Sequence, residues 1–153
     1  MKLKVCGMRS PDNINNLSAL APDYMGFIFW EHSKRFVSDA TPELPHSIKK
    51  TGVFVDASVE YILDTIANHQ LQALQLHGKE SPDFCKKLKS KELEIIKAFS
   101  VGKSFEFSDL EAYDSVCDYF LFDTKGDLPG GNGTRFNWSL LRDYPATKPF
   151  FLS

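Results

Sequence analysis

Cys6 is the first residue of this sequence whose type and place could do chemistry, because it closes the short apolar run KVC and a glycine follows it at once. A thiolate is both a base and a nucleophile, yet a free cysteine at neutral pH is only about a few per cent thiolate. Positive charge nearby favours the thiolate, and Lys4 shares a face with Cys6 if the run is a β-strand. Cys6 is therefore either a general base or a buried side chain that fills space, which is the commoner fate of a single cysteine.

Asp123 is a second candidate, because it ends another apolar run, DYFLFD, and the glycine-rich stretch Lys125–Trp138 follows shortly after. On a strand it shares a face with Tyr119 and Leu121. A carboxylic acid can donate a proton to a reacting oxygen if its surroundings raise its pKa. Taken alone, Asp123 could equally accept hydrogen bonds from backbone amides at the start of the loop.

Arg35 and His77 also follow apolar runs, and their side chains suit different tasks. A guanidinium can bind both oxygens of a carboxylate at once, although the basic HSKR segment around Arg35 is also typical of a solvated cluster. His77 could transfer protons, but a hydrogen-bonded histidine at a strand end is the commoner arrangement. A metal site built from Cys6, His77 and Asp123 has no ligand spacing to support it.

Seven short apolar runs recur at regular intervals and predict seven β-strands, since each is rich in β-branched or aromatic residues and ends in polar ones. The predicted strands are Leu3–Cys6, Tyr24–Trp30, Gly52–Val55, Ala73–Leu76, Glu94–Phe99, Tyr119–Phe122 and Pro149–Leu152. Ser10, Ser58 and Ser81 predict helix starts between them, the first and last because a proline follows. The segment 104–115 predicts no more than a short helix.

Strands that alternate with helices imply parallel strands joined by right-handed crossovers. The sheet is then either open and doubly wound or closed into a barrel, and periodicity does not choose between the two. In both architectures the ligand site forms where the strands end. Cys6, Arg35, His77 and Asp123 all stand at or after such ends.

Length, charge and cysteine content favour one cytoplasmic domain that binds a small molecule. The 153 residues are enough for one core, so we expect a single domain over residues 1–153. The formal net charge of -2 comes from interspersed charges, without a basic stripe for nucleic acid or a basic amphipathic face for a membrane. No apolar run approaches membrane-spanning length. Cys6, Cys85 and Cys117 lack disulfide or metal spacing, which suits a reducing compartment.

Five motifs, in this order along the chain, resemble phosphoribosylanthranilate isomerase of tryptophan biosynthesis. They are KVCGMRS, YMGFIFWEHSKRFV, GVFVDAS, LQLHG and FDTKGDLPGGNGTRFNW, and they span residues 4–138. The resemblance implies an α/β fold, the (βα)8 TIM barrel. It also implies an aldose–ketose isomerase, whose Amadori rearrangement turns N-(5'-phosphoribosyl)anthranilate into 1-(2-carboxyphenylamino)-1-deoxyribulose 5-phosphate. The family uses no metal or organic cofactor, and we expect a small phosphoribosyl substrate and a monomer or homodimer.

The resemblance also assigns roles to three residues. Cys6 is the general base that removes a proton from C2', and Asp123 is the general acid that protonates the furanose ring oxygen. Arg35 matches the arginine that faces the anthranilate carboxylate. The stretch Lys125–Trp138 resembles a loop that closes over bound substrate and excludes water. We assign structural roles to the other two cysteines.

The sequence departs from the family after the seventh predicted strand, which lies in KPFFLS at the end of the chain. A complete (βα)8 barrel usually needs about 200 residues or more. We therefore expect an incomplete barrel of about seven strands, a fragment without the last helix, strand and helix and without the phosphate site. Two alternatives stay open: a non-catalytic binding or interaction fragment, and a related phosphosugar barrel enzyme such as indole-glycerol-phosphate synthase. The second is disfavoured, because its chemistry relies on a lysine acid and a carboxylate partner rather than a cysteine.

Overall fold

The computed structural model describes residues 1–90, 92–102, 105–126, 137–145 and 147–153. Within these residues the strands form one parallel sheet whose spatial order is their order in the chain. The strands are β1 (Lys4–Cys6), β2 (Tyr24–Ile28), β3 (Lys49–Phe54), β4 (Ala73–Leu76), β5 (Glu94–Val101), β6 (Tyr119–Thr124) and β7 (Phe150–Leu152). All seven predicted strands are thus confirmed, with shifts at their ends.

Helices occupy three of the crossovers, and each begins where the sequence predicts. They are α1 (Pro11–Ser18), α2 (Val59–His69) and α3 (Pro82–Leu88), and two 3₁₀ helices, Phe107–Tyr113 and Trp138–Asp143, follow β5 and β6. The side chains of Ser58 and Ser81 each accept a hydrogen bond from the amide three residues later, at 3.1 and 3.2 Å. Ser10 makes no such bond, and there the fixed φ of the following proline starts the helix. None of the helices in the described residues has the length and apolarity that a membrane span requires.

The third strand begins earlier than predicted, at Lys49 rather than Gly52. Two lysines in succession read as a polar loop, yet Lys49 forms an ion pair with Glu94, and Lys50 is only 5% exposed. The ammonium of Lys49 also lies 5.8 Å from the centre of the Tyr24 ring. Long lysine stems can pack in a sheet when their charged ends find such partners, which is why this part of the strand was missed.

Contacts between side chains of strands that are distant in the sheet order show that the sheet is curled. The ring of Tyr24 on β2 lies 5.3 Å from that of Phe151 on β7 and 6.3 Å from that of Tyr119 on β6. Lys2, just before β1, donates a hydrogen bond to the Tyr119 hydroxyl at 2.7 Å. The seven strands therefore form the greater part of a TIM-barrel wall, with β1 and β7 outermost.

Alternation along the strands divides their apolar side chains between two faces. One face packs against the helices in a large core that includes Ile14 of α1, Ile62 of α2 and Leu88 of α3. The concave face carries a smaller cluster that includes Ile96 and Leu121. Side chains that alternate onto this second face therefore point toward the inside of the curled sheet.

Candidate active site

A cavity of about 810 Å³ lies on the concave side of the sheet. Its lining includes Cys6 at the end of β1, Arg35 from the connection between β2 and β3, and His77 directly after β4. Parallel strands bring their carboxyl ends to one edge, so residues far apart in the chain can meet there. Three of the residues singled out from the sequence thus line one cavity.

The thiol of Cys6 and the ammonium of Lys4 both lie over Gly26 of the neighbouring strand. Cys6 is in register with Gly26, and a Cβ atom built on Gly26 would come 2.8 Å from Cys6 Sγ and 3.0 Å from Lys4 Nζ. Sγ and Nζ are therefore within about 6 Å of each other, a range over which an opposite charge favours an ionised group. The predicted common face of Lys4 and Cys6 is confirmed. Gly26 is a site residue that sequence reasoning missed, although the motif YMGFIFW contains it.

The guanidinium of Arg35 reaches over the turn that follows Cys6. Its Nη1 donates a hydrogen bond to the Cys6 carbonyl at 3.3 Å. Gly7 makes this contact possible, because its φ is +85° and a Cβ atom there would lie 2.5 Å from Arg35 Nη1. Arg35 is otherwise exposed, so an anion bound by its guanidinium would lie beside Cys6.

Asp123 is held by His77, which joins it to the cavity. Oδ2 of Asp123 lies 3.2 Å from Nε2 of His77, and the other ring nitrogen, Nδ1, lies 2.6 Å from Nε2 of Gln75. An amide nitrogen can only donate, so Nδ1 accepts, the ring proton is on Nε2, and His77 donates to Asp123. The three side chains form one hydrogen-bonded row from β4 to β6. Sequence reasoning did not include Gln75, although its position two residues before His77 places both on one face of β4.

The pKa of Asp123 is lowered from its ordinary value, whereas a proton donor was expected to have a raised one. Burial by itself raises this pKa, but the hydrogen bond from His77 lowers it, together with hydrogen bonds from the Thr124 amide and the Ser153 side chain. These interactions outweigh burial because each favours the charged carboxylate. Asp123 is therefore ionised at neutral pH, and a reaction that uses it as an acid must first supply it with a proton.

A buried ion pair fixes the backbone on both sides of His77. Nζ of Lys97 on β5 donates to the carbonyls of Leu76 and Gly78 at 3.2 and 2.8 Å, and it lies 3.1 Å from Oε2 of Glu80. Glu80 in turn accepts the Gly78 amide. The end of β4, and with it the imidazole that holds Asp123, is therefore tied to β5.

Cys6 differs from the other two cysteines in its surroundings. Cys85 and Cys117 are 0% and 1% exposed in the core, and their thiols share a hydrogen bond. That bond and burial raise the pKa of the Cys117 thiol. Cys6 is the partly exposed cysteine that lines the cavity.

Two further hypotheses from the sequence also concern this site. Residues 127–136 of the glycine-rich stretch Lys125–Trp138 lie outside the described residues, so its closure over a substrate stays a prediction. In the part of the chain that the structure describes, no group of three or more His, Cys, Asp or Glu side chains could hold a metal ion.

Comparison with known proteins identifies the family of this site. Residues 3–153 match the family described as N-(5'phosphoribosyl)anthranilate (PRA) isomerase. The chain belongs to the phosphoribosylanthranilate isomerase family. The N-(5'-phosphoribosyl)anthranilate isomerase of Parabacteroides distasonis is 45% identical over 159 residues, which cover 100% of this chain and 72% of the relative. That of Phocaeicola vulgatus is 44% identical over 153 residues, covering 100% and 75%.

Solved structures of the phosphoribosylanthranilate isomerase family share the fold of this chain. The enzyme of Thermotoga maritima aligns with a TM-score of 0.80 at 32% identity, over 100% of this chain and 76% of the other. Monomers made from the dimeric Thermotoga maritima enzyme align with a TM-score of 0.74 at 29% identity, over 99% and 74%. A complex of a family member with reduced 1-(o-carboxyphenylamino)-1-deoxyribulose 5-phosphate gives 0.75 at 29% identity, over 99% and 74%. The curled sheet is therefore a TIM barrel that lacks part of the family's barrel.

Proposed function

We propose that the protein catalyses the Amadori rearrangement of N-(5'-phosphoribosyl)anthranilate to 1-(2-carboxyphenylamino)-1-deoxyribulose 5-phosphate. Cys6 is the general base, Asp123 the general acid and Arg35 the anchor for the anthranilate carboxylate. One observation carries the proposal: the hydrogen-bonded pair of Cys6 and Arg35 lines the same cavity as His77, which holds Asp123. The family member bound to a reduced carboxyphenylamino-deoxyribulose phosphate supports the substrate class.

In the proposed reaction one proton is delivered and another is removed. Asp123 donates a proton to the furanose ring oxygen as the bond from that oxygen to C1' breaks, which leaves a Schiff base on the anthranilate nitrogen. The Cys6 thiolate then takes the proton from C2', and the resulting enolamine tautomerises to the aminoketose. The net change is an isomerisation, so no other reactant is consumed.

Arg35 is suited to place the substrate for the second of these steps. Its guanidinium already touches the Cys6 carbonyl, so a carboxylate that it binds fixes the anthranilate ring next to the base. Orientation of this kind converts binding energy into rate, because the reacting atoms no longer need to find each other.

A second candidate is a non-catalytic binding protein that keeps the anthranilate anchor. One observation favours it: Asp123 is a carboxylate in the free chain, whereas a general acid must carry a proton. Such a protein would bind anthranilate derivatives through Arg35 without turnover.

The fluorescence of anthranilate compounds during incubation with the substrate distinguishes the two candidates. We expect turnover by the chain, its loss in Cys6→Ala and in Asp123→Asn, and its retention in the control Asp64→Asn, which changes an exposed residue of α2. Near-normal turnover in either of the first two variants would contradict the assigned roles. Absence of turnover, combined with binding of the reduced product analogue that Arg35→Met abolishes, would establish the second candidate.

We further propose that residues 1–153 act as a single incomplete TIM-barrel domain in the cytoplasm, with a small phosphoribosyl substrate and no cofactor. Three cysteines without disulfide spacing support a reducing compartment. A monomer or a homodimer is expected, and sedimentation analysis of the purified chain tests this.

A further inference from the structure

Gln75 has an unusual hydrogen-bonding state for a buried amide. The residue is 3% exposed, and its Nε2 lies 2.6 Å from Nδ1 of His77. Its Oε1 is buried and has no hydrogen-bond partner among the described residues. Buried polar atoms are rarely left unpaired, and such an atom calls for a functional explanation. Because no described residue holds the oxygen end of this amide, the hydrogen bond with His77 is the interaction on which the orientation of the amide depends.

The two orientations of this amide require different protons on His77. With Nε2 of Gln75 facing Nδ1, the ring carries its proton on Nε2 and donates it to the carboxylate of Asp123. With Oε1 facing Nδ1, the ring must carry a proton on Nδ1. His77 Nε2 and Asp123 Oδ2, which lie 3.2 Å apart, then share one additional proton. That proton is bound either to the imidazole or to the carboxyl group.

We propose that Gln75 and His77 are positioning residues that load Asp123 with its proton, by a rotation of the Gln75 amide that accompanies the uptake of one proton by the His77–Asp123 pair. The inference rests on the proposed function for its catalytic consequence, but not for the hydrogen-bond states themselves. It also resolves the conflict between the role of Asp123 as an acid and its ionised state in the free chain. In the proposed reaction Asp123 delivers the proton to the substrate, whereas Gln75 and His77, which line the cavity, act through Asp123.

The other charged groups around this row are fixed or lie elsewhere in the cavity. Lys97 on β5 is paired with Glu80 and with carbonyls next to His77. Asp123 also accepts hydrogen bonds from the Thr124 amide and the Ser153 side chain. The remaining titratable or charged side chains that line the cavity are Lys2, Lys4, Cys6, His32, Lys34 and Arg35. Of these groups, His77 is the one that shares a hydrogen bond with both Gln75 and Asp123.

Nitrogen NMR of the protein labelled in histidine tests the hydrogen-bond states without any need for activity. The chain has four histidines, and His77→Asn assigns the relevant signals. In the wild type at neutral pH we expect Nδ1 to have the shift of an unprotonated nitrogen and Nε2 that of a protonated one. In Gln75→Glu the carboxylate presents only hydrogen-bond acceptors to Nδ1 of His77. Nδ1 should then carry the proton, and its chemical shift should become that of a protonated nitrogen. The signals of His69, whose Nδ1 lies 3.2 Å from the Thr41 hydroxyl, should stay unchanged and serve as the control.

Two results would overturn the inference in this experiment. The first is a protonated Nδ1 in the wild type at neutral pH. The second is an unchanged Nδ1 shift in Gln75→Glu when the His69 signals show that the protein is folded. Neither result depends on turnover, so the proposed function can stand if this inference fails.

Kinetics supply the catalytic arm of the test. Gln75→Leu removes the amide, so neither hydrogen bond to His77 can form. We therefore expect kcat to fall by about tenfold or more, which is part of the 10²–10⁴-fold that a positioned acid contributes. KM should change little, since the anthranilate anchor is untouched, and the acidic limb of the pH profile of kcat should shift. Gln75→Asn, which keeps the amide on a shorter stem, should recover part of the rate. Gln75 would have a merely structural role if the substitutions changed only KM. The same would hold if Gln75→Leu and Gln75→Asn lowered kcat equally and the pH profile of kcat did not shift.

Discussion

The ammonium of Lys97 lies 3.1 Å from the carboxylate of Glu80, and the two side chains are only 3% and 2% exposed. Charges so deeply buried are stable only when they are paired and their hydrogen bonds are complete. Here Lys97 also donates to backbone carbonyls on both sides of His77. The pair therefore links the packing of two strands to the geometry of the site.

Loss of this pair should be far more costly than loss of a similar pair at the surface. We expect Lys97→Met to lower the free energy of unfolding by about 3–5 kcal/mol, because it leaves the Glu80 carboxylate buried without a charged partner. The pair of Lys89 and Asp118, with side chains 35% and 36% exposed, is the control, and Lys89→Met should cost less than about 1 kcal/mol. Urea denaturation measures both. Equal losses would contradict the prediction, and adding Glu80→Gln to Lys97→Met should restore part of the stability.

A methyl group on Gly26 should damage the site more than the fold. In Gly26→Ala the added carbon would lie 2.8 Å from Cys6 Sγ and 3.2 Å from the Cys6 Cα, so the thiol must move. We expect turnover to fall by about 10²-fold, as displacements of about 1 Å can cause, with a stability loss of about 1–3 kcal/mol. In the control Gly102→Ala the new carbon would meet the flexible Lys125 side chain at 3.1 Å, and turnover should be kept. Undiminished turnover in Gly26→Ala would remove Gly26 from the site.

The ammonium of Lys4 should speed the reaction of Cys6 with iodoacetamide. At about 6 Å in a water-like dielectric a charge pair is worth about 0.7 kcal/mol, or about threefold in rate. Lys4→Met should therefore react about threefold more slowly, and high salt should reduce the difference. The control Lys86→Met changes an exposed residue on α3. Cys85 and Cys117 are buried, so the rate in the folded protein reports on Cys6, and identical rates in Lys4→Met and wild type would contradict the prediction.

Asp123 should stabilise the fold in a manner that depends on pH. Its pKa in the folded chain is lowered, so its stabilising contribution is complete above the unfolded value of about 3.9 and is lost as the pH falls through the folded value. We expect Asp123→Asn to be less stable than wild type at pH 7 and the difference to shrink as the pH falls below about 3.9. Urea denaturation across this range measures it, with Asp64→Asn as the exposed control. A difference that does not vary with pH would argue against a hydrogen bond from His77 that favours the ionised carboxylate.

The elements were predictable because their signals are local. Apolar runs, prolines after serines and strand alternation depend on neighbours in the chain, and they located the strands, the starts of the helices and the common face of Lys4 and Cys6. The resemblance to a family then assigned roles to Arg35 and Asp123, which their positions after apolar runs had already made candidates. The structure places both near the cavity that Cys6 lines, while their roles remain proposals.

The features that escaped prediction depend on partners distant in sequence. Lys97 stands in an apolar run as if it pointed to solvent, and only the fold brings Glu80 to it. The start of β3 at Lys49 depends on Glu94 in the same way. The pKa of Asp123 was expected to be raised, because burial is easier to foresee from an apolar run than the hydrogen bond from His77. Local periodicity contains no information about such pairings.

The bond from Arg35 to the Cys6 carbonyl has a consequence for selectivity in the proposed reaction. A substrate carboxylate that attracts the Arg35 guanidinium also affects the Cys6 peptide through this hydrogen bond. Substrate recognition and proton abstraction therefore depend on one structural connection. A sugar phosphate whose amine carries no carboxylate would leave that connection unused. Discrimination against it would then fall on the rate of the chemical step as well as on the strength of binding.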